Sequence, residues 1–299
     1  MSEGNILELR HLQKAYGRHE VLKDISFSVR RGEILGLLGK NGSGKTTLMK
    51  SVLGLLAHSG EVIFDGKTLN PREARAMNRI GVLVDTAFFE DMTAYDNLKI
   101  LMLSTPFRDN RRMGRDIMDL LTLVGLEENA KERVKGFSFG MKQRLALAQT
   151  LMNEPELLIL DEPFVGLDPP GITLVKEKLA ELCRRRTAII FSSHQLAEVE
   201  ELSEEIVAIE DGYVRFCGTY AELARRNREY RIIVDRPLTR EIMERLTARS
   251  CEVMEDGDCE LLLSHSEETL DPALRSLIDG GFAIREILRE DRPLEALFS

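Results

Sequence analysis

No stretch of this 299-residue chain approaches the roughly 18 uninterrupted apolar residues of a membrane-spanning helix. The start, Met1-Ser2-Glu3-Gly4-Asn5, lacks the basic and apolar segments of a secretory signal. Together these absences point to a cytosolic chain, one that serves a membrane only by docking to another protein. Cysteine is scarce. Cys183, Cys217, Cys251 and Cys259 form no Cys-x-x-Cys pair and have no histidine at ligand spacing, so reduced thiols are the simple reading. A basic excess is missing too. With 41 basic and 50 acidic residues the net charge is −9, which argues against broad nucleic-acid binding. The one basic run, Arg184-Arg185-Arg186, reads as the solvated C-terminal end of a helix. No fixed-period repeat and no low-complexity segment is present.

The clearest segment that is present is Gly39-Lys40-Asn41-Gly42-Ser43-Gly44-Lys45-Thr46. It follows an apolar run, Glu33-Ile34-Leu35-Gly36-Leu37-Leu38, and precedes a helix-forming stretch, Thr46-Thr47-Leu48-Met49-Lys50-Ser51-Val52-Leu53. Strand, glycine-rich turn and helix together make an anion site. The glycines let backbone N–H groups point inward, and the helix N-terminus adds partial positive charge. Lys45 has the reach for β- and γ-phosphates, and the Thr46 hydroxyl has the chemistry for Mg²⁺.

The rest of the chain alternates strands with helices, which implies a mainly parallel sheet covered on both faces. Ile6-Leu7-Glu8-Leu9 and Ile25-Ser26-Phe27-Ser28-Val29 have strand period. Residues 60–66 read as a strand ending in an Asp-Gly turn. Ile80-Gly81-Val82-Leu83-Val84, Leu157-Leu158-Ile159-Leu160 and Ala188-Ile189-Ile190-Phe191 read as buried strands. From Thr93 to about Asn153 the pattern is helical, with Ile117, Leu120, Leu121 and Val124 as an apolar stripe. A composition shift after residues 225–228 marks a second unit. Tyr230-Arg231-Ile232-Ile233-Val234 reads as a strand and 237–248 as a helix opened by Pro237. Residues 251–264 read as a hairpin turning at Asp256-Gly257-Asp258, 267–278 as a helix and 282–288 as a strand. The order βαββαβ is that of a ferredoxin-like unit.

A phosphate loop hydrolyses nothing by itself. The run Leu157-Leu158-Ile159-Leu160-Asp161-Glu162 ends an apolar strand in two carboxylates. Asp161 is suited to hold Mg²⁺, and Glu162 to polarise the water that attacks a γ-phosphate.

With these parts in place, the chain resembles the ATP-binding subunit of an ATP-binding cassette (ABC) transporter over about residues 5–225. Phe137-Ser138-Phe139-Gly140-Met141-Lys142-Gln143-Arg144 resembles the signature motif, Gly166-Leu167-Asp168 the D-loop and Ser192-Ser193-His194 the switch histidine. No Asn-Lys-x-Asp guanine motif is present. The resemblance implies an α/β P-loop NTPase fold. A mainly parallel core would carry an N-terminal antiparallel β subdomain and a helical subdomain over about 86–153. The cassette would span 1–227, and a small C-terminal α+β domain 228–299. It also implies residue roles. Tyr16 would lie against adenine, and residues 39–47, Thr47 included, would hold the phosphates. Lys45, Glu162 and His194 would serve catalysis, and Thr46 and Asp161 the Mg²⁺. Two cassettes would close head to tail over two ATP molecules, with Ser138 and Gly140 of one covering the ATP of the other and Asp168 bridging the sites.

Two departures stand out. Most members carry Gln where this chain has Asp85, and an acid there resembles a subgroup linked to bacitracin resistance and lantibiotic immunity. Asp85 is read either as joining the metal shell in the closed state or as a loop acid with no metal role. The signature has Phe137, Phe139 and Met141 in place of the usual Leu, Gly and Gln, but keeps Ser138 and Gly140. The resemblance implies that the chain is the ATPase subunit of an exporter of a drug, peptide antibiotic or similar cargo. It would sit on the inner face of the membrane, pressed by separate permease subunits at the groove beside residues 85–150, with no nucleic-acid partner. The alternative is a non-transport ATPase acting on ribosomes or DNA. Such proteins usually have two cassettes in one chain or a coiled-coil insertion, and neither is present here. For the C-terminal unit, dimer stabilisation, small-molecule sensing and simple packing all remain open.

Overall fold

The computed structural model describes residues 4–105, 110–226, 228–247, 252–255, 259–264 and 267–291. The chain divides into two compact units, Met1–Cys217 and Gly218–Ser299.

The first unit opens with strands β1 (Asn5–Tyr16) and β2 (His19–Arg30), which pair antiparallel. Both run well beyond the short apolar cores visible in sequence, because polar residues continue the ladder on its open face. Strand β3 (Ile34–Leu38) leads through the glycine-rich loop into helix α1 (Lys45–Val52). Strands β4 (Ser59–Phe64) and β5 (Lys67–Thr68) form a hairpin. Its two-residue turn, Asp65-Gly66, has φ of 51° and 75°, the left-handed pair that matches the twist of the flanking strands. The resulting antiparallel sheet has the order β2-β1-β4-β5.

A single turn of helix, α2 (Ala74–Met77), precedes β6 (Ile80–Leu83). The helical stretch is broken into α3 (Ala94–Ser104), α4 (Met113–Leu123) and α5 (Phe139–Leu151) rather than continuous. Thr93 caps α3 by accepting from Asp96 N–H, and Ile117, Leu121 and Val124 of the expected stripe are buried. Then follow β7 (Leu157–Leu160), α6 (Pro169–Arg184), β8 (Ala188–Ser193), α7 (Leu196–Leu202), β9 (Glu205–Glu210) and β10 (Tyr213–Thr219). Helix α6 ends within the Arg184-Arg185-Arg186 run, as expected, with Arg185 paired to Glu181 at 2.5 Å.

The second sheet has the order β10-β9-β3-β8-β7-β6. Its β3–β8, β3–β9, β7–β8 and β6–β7 pairings are parallel, which bears out the expected parallel core. Every residue of β3, β7 and β8 is buried, the mark of strands covered on both faces. The principal core lies between the two sheets, with Ile6, Leu12, Ile25 and Val62 meeting Leu37, Leu157, Ile159 and Ile190.

The second unit begins with the end of β10 and continues in α8 (Tyr220–Arg226). This helix opens on a reciprocal cap: Glu222 N–H donates to Thr219 Oγ1 at 3.2 Å and Thr219 N–H to Glu222 Oε2 at 3.0 Å. It continues with β11 (Arg228–Val234), α9 (Arg240–Thr247), β12 (Glu252–Glu255), β13 (Glu260–Ser264), α10 (Glu267–Asp279) and β14 (Ile284–Asp291). The element order βαββαβ and the antiparallel sheet β12-β13-β11-β14 are those of a ferredoxin-like unit. Helix α9 starts at Arg240, beyond Pro237, so Pro237 precedes the helix instead of opening it. The expected turn 256–258, Cys251 and the helix end at Ala248 lie outside the described residues. Among the described residues no helix is long and apolar enough to cross a membrane.

Candidate functional site

The site forms where β3, β6, β7 and β8 end. Parallel strands bring their C-terminal ends to one edge of a sheet, so residues far apart in sequence converge there.

Residues 39–44 curl tightly between β3 and α1. A Cβ at Gly39 would lie 2.2 Å from Ser43 Oγ and 2.6 Å from the Ile209 carbonyl oxygen, so no larger residue fits. Gly42 and Gly44 have φ of 85° and 108°, conformations open to glycine. Lys40 and Asn41 are exposed on the outside of the curl, and Thr47 is half-buried on α1. The Lys45 ammonium is buried, donating to the carbonyls of Gly39 at 2.6 Å and Lys40 at 3.3 Å. Burial pushes its pKa down, against the opposing pull of Glu162 and Asp161. Ser43 Oγ is buried with no hydrogen-bond partner. An orphaned hydroxyl, a buried ammonium and a glycine cradle in one loop suit an anionic oxygen-rich group.

The two carboxylates stand next to this loop in one hydrogen-bonded chain. Thr46 Oγ1 donates to Asp161 Oδ2 at 2.6 Å. Ser192 Oγ, at the end of β8, donates to Asp161 Oδ1 at 2.5 Å and accepts from Glu162 N–H at 2.9 Å. His194 Nδ1 lies 2.9 Å from Glu162 Oε2. Glu162 has a left-handed backbone, φ 48°, which turns the chain sharply after β7. Gln143, on α5, braces that turn through donations to the carbonyls of Glu162 and Pro163, both at 3.2 Å. Beyond His194, Ser193 Oγ donates to Glu198 Oε2 at 2.5 Å and accepts from Gln195 N–H at 2.9 Å, which pins the loop that carries the histidine.

Lys45, Thr46, Asp161, Glu162 and His194 thus meet, as their order in sequence suggested. Asp85 follows β6 with φ 50° and forms an ion pair with Lys50 of α1. Other expected members stand apart: among the described residues no hydrogen bond joins Tyr16, Ser138 or Gly140 to the carboxylate cluster. Tyr16 is half-exposed at the end of β1, opposite His19, with Lys14 Nζ 4.9 Å from its ring centroid. Ser138 caps α5 by accepting from Met141 N–H at 3.2 Å. Gly140 lies close against Gly166, where a Cβ would come 3.0 Å from the carbonyl oxygen. The Phe139 ring covers Gly166, whose φ is 75°. Asp168 stands at the N-terminal boundary of α6, immediately ahead of Pro169, with no capping hydrogen bond from its side chain. A groove of about 600 Å³ runs between the carboxylates and α5, lined by Asp85, Phe88, Glu90, Phe139, Lys142 and Glu162.

Sequence reasoning missed Ser192, Gln143 and Lys50. Ser192 and Gln143 stand inside recognised motifs, but nothing in their spacing distinguishes a bracing role from an idle one. The Lys50 pairing depends on a strand that lies thirty residues further along the chain.

Comparison with known proteins agrees with this geometry. The family model described as ABC transporter matches residues 22–165. The linearmycin resistance ATP-binding protein LnrL of Bacillus subtilis is 35% identical over 225 residues, covering 74% of this chain and 71% of that protein. The bacitracin transport ATP-binding protein BcrA of Enterococcus faecalis is 32% identical over 299 residues, covering 98% and 95% of the two. A solved structure of an ATP-binding subunit of an ABC transporter is 30% identical with a TM-score of 0.68, covering 74% of this chain and 92% of the solved one. A phosphate cradle beside paired carboxylates thus recurs here in a chain aligned nearly end to end with one such subunit, and the chain belongs to the ABC transporter family, as an ATP-binding subunit with ATPase chemistry.

Proposed function

We propose that this chain powers an exporter of a drug, peptide antibiotic or similar cargo, through the hydrogen-bonded chain Thr46–Asp161–Ser192–Glu162–His194. That chain is the observation that carries the reading, because it aligns a phosphate site with a base for water. ATP lies on residues 39–47, with Tyr16 against adenine and Lys45 turning from the loop carbonyls to the β- and γ-phosphates. Thr46 and Asp161 offer hard oxygen donors suited to Mg²⁺, which supplies charge neutralisation along the phosphates.

Glu162 accepts hydrogen bonding, and then a proton, from a water aimed at the γ-phosphorus; the leaving ADP oxygen departs opposite. His194 holds Glu162 and the γ-phosphate together. Lys45, Glu162 and His194 are the catalytic residues of this reading. Ser138 and Gly140, at the N-terminus of α5, are presented to the ATP of a second cassette, and Asp168 to its facing site. ATP-driven closure of the pair then moves separate membrane subunits docked at the inner membrane face. The names of the relatives, linearmycin resistance and bacitracin transport, support the cargo class.

A tagged pull-down from detergent-solubilised native cells tests the transport reading. A polytopic membrane protein recovered in comparable amount is the expected result. Ribosomes or DNA-bound proteins without any membrane protein would overturn it.

A further inference from the structure

Asp85 brings a third carboxylate to the sheet edge that already carries Asp161 and Glu162. Strands β6 and β7 pair with Leu83 opposite Leu160, so Asp85 and Glu162 each stand two residues past the last pair, and both line the same groove with Asp161. Its backbone is left-handed, φ 50°, a conformation that Asp adopts more readily than most side chains. Three acids beside a polyphosphate repel it unless cations offset them.

Lys50 supplies such a cation. It lies four residues after Thr46 on α1, so the two share a helix face, and its ammonium pairs with Asp85 Oδ2. Lys50 is mostly covered while Asp85 is mostly exposed, and such a surface pair adds little stability. Its effect is therefore one of placement and charge. The ammonium is held above its usual range chiefly by the hydrogen bond to Asp85, with smaller help from Asp161.

We propose that Lys50 is a positioning residue for Asp85: it draws the carboxylate toward the Thr46 face of α1 and cancels the charge that an acid adds beside bound nucleotide. This rests on residues 39–47 as the nucleotide site, and it extends the reading of Asp85 as a metal-shell residue without requiring it.

The test is a thermodynamic cycle on the full chain, with K50M, D85N, the double variant and K50R. Trinitrophenyl-ATP binding is titrated by fluorescence, first in EDTA and then with Mg²⁺. In EDTA, K50M is expected to weaken binding about tenfold in the parent and less than threefold in the D85N background, a coupling of neighbouring charges. K50R is expected to stay within about threefold of the parent, since it keeps the charge. Equal losses in both backgrounds would overturn the proposal, because Lys50 would then act on phosphate directly. The absence of any loss in K50M would overturn it as well. The Mg²⁺ titration separates the two ideas: D85N with unchanged Mg²⁺ dependence removes the metal-shell reading while the EDTA coupling still stands or falls alone.

Discussion

Ser192 makes one hydroxyl serve both acidic residues, donating to the Asp161 carboxylate and accepting from the Glu162 backbone N–H. In S192A both partners lose that bond inside a covered site, at a cost of about 1–3 kcal/mol in unfolding free energy. Turnover is expected to fall about tenfold to a hundredfold while nucleotide affinity stays within about threefold, measured by phosphate release and by equilibrium binding. Unchanged turnover would reduce Ser192 to a bystander. At this scale the sequence was most legible where chemistry demands a residue type. That Lys45, Thr46, Asp161 and Glu162 come together could be read from their motifs, since the proposed phosphate and metal chemistry accepts few alternative residue types. Ser192 and Lys50 could not, since their roles arise from distances across strands that no local spacing encodes.

Strand β3 and helix α7 show how closely the elements supporting the site are packed. A Cβ at Gly36 would come 2.4 Å from Val199 Cγ1 and 2.8 Å from Ser203 Oγ, so α7 lies almost on the strand. Gly36→Ala is expected to destabilise the protein by about 1–3 kcal/mol, seen as a lower thermal midpoint, and to weaken nucleotide binding by shifting the loop that follows β3. A midpoint equal to that of the parent would contradict the packing argument. The buried strands were legible because continuous apolar runs mark parallel sheet interiors. The hairpin β9–β10 was overlooked, although Asp211-Gly212, with φ of 50° and 81°, is the turn signal that could have revealed it. The helical region was legible in kind but its breaks were passed over, although Pro106 between α3 and α4, and Gly125 and Gly136 between α4 and α5, are the breakers that could have marked them.

Across the first unit, one charge network ties the antiparallel sheet to the parallel one. Arg79 donates to Asp65 at 2.6 Å and to Glu156 at 2.5 Å, and Arg31 reaches the same two acids at 2.6 and 2.5 Å. Hydrogen bonds from Arg79 first, and then from Arg31, hold both carboxylates below their usual range. Groups with lowered folded pKa stabilise above their unfolded pKa and lose that contribution as pH falls through the folded value. R79M is therefore expected to cost a constant amount, about 0.5–1 kcal/mol, from pH 5 to 7. The difference from the parent should shrink below about pH 4, as urea unfolding at each pH would show. A pH-independent difference would assign the effect to the packing of Arg79 on Phe64, 4.9 Å away, instead. The C-terminal unit was legible as βαββαβ because each element has its own period, while its use was not, because no phosphate loop or acid pair marks it. The central claim, that Glu162 drives ATP hydrolysis from this hydrogen-bonded cluster, is tested most directly by E162Q. Turnover is predicted to drop at least about a hundredfold with ATP binding and ATP-dependent dimerisation retained. E162Q that hydrolyses ATP at the parent rate would contradict the account.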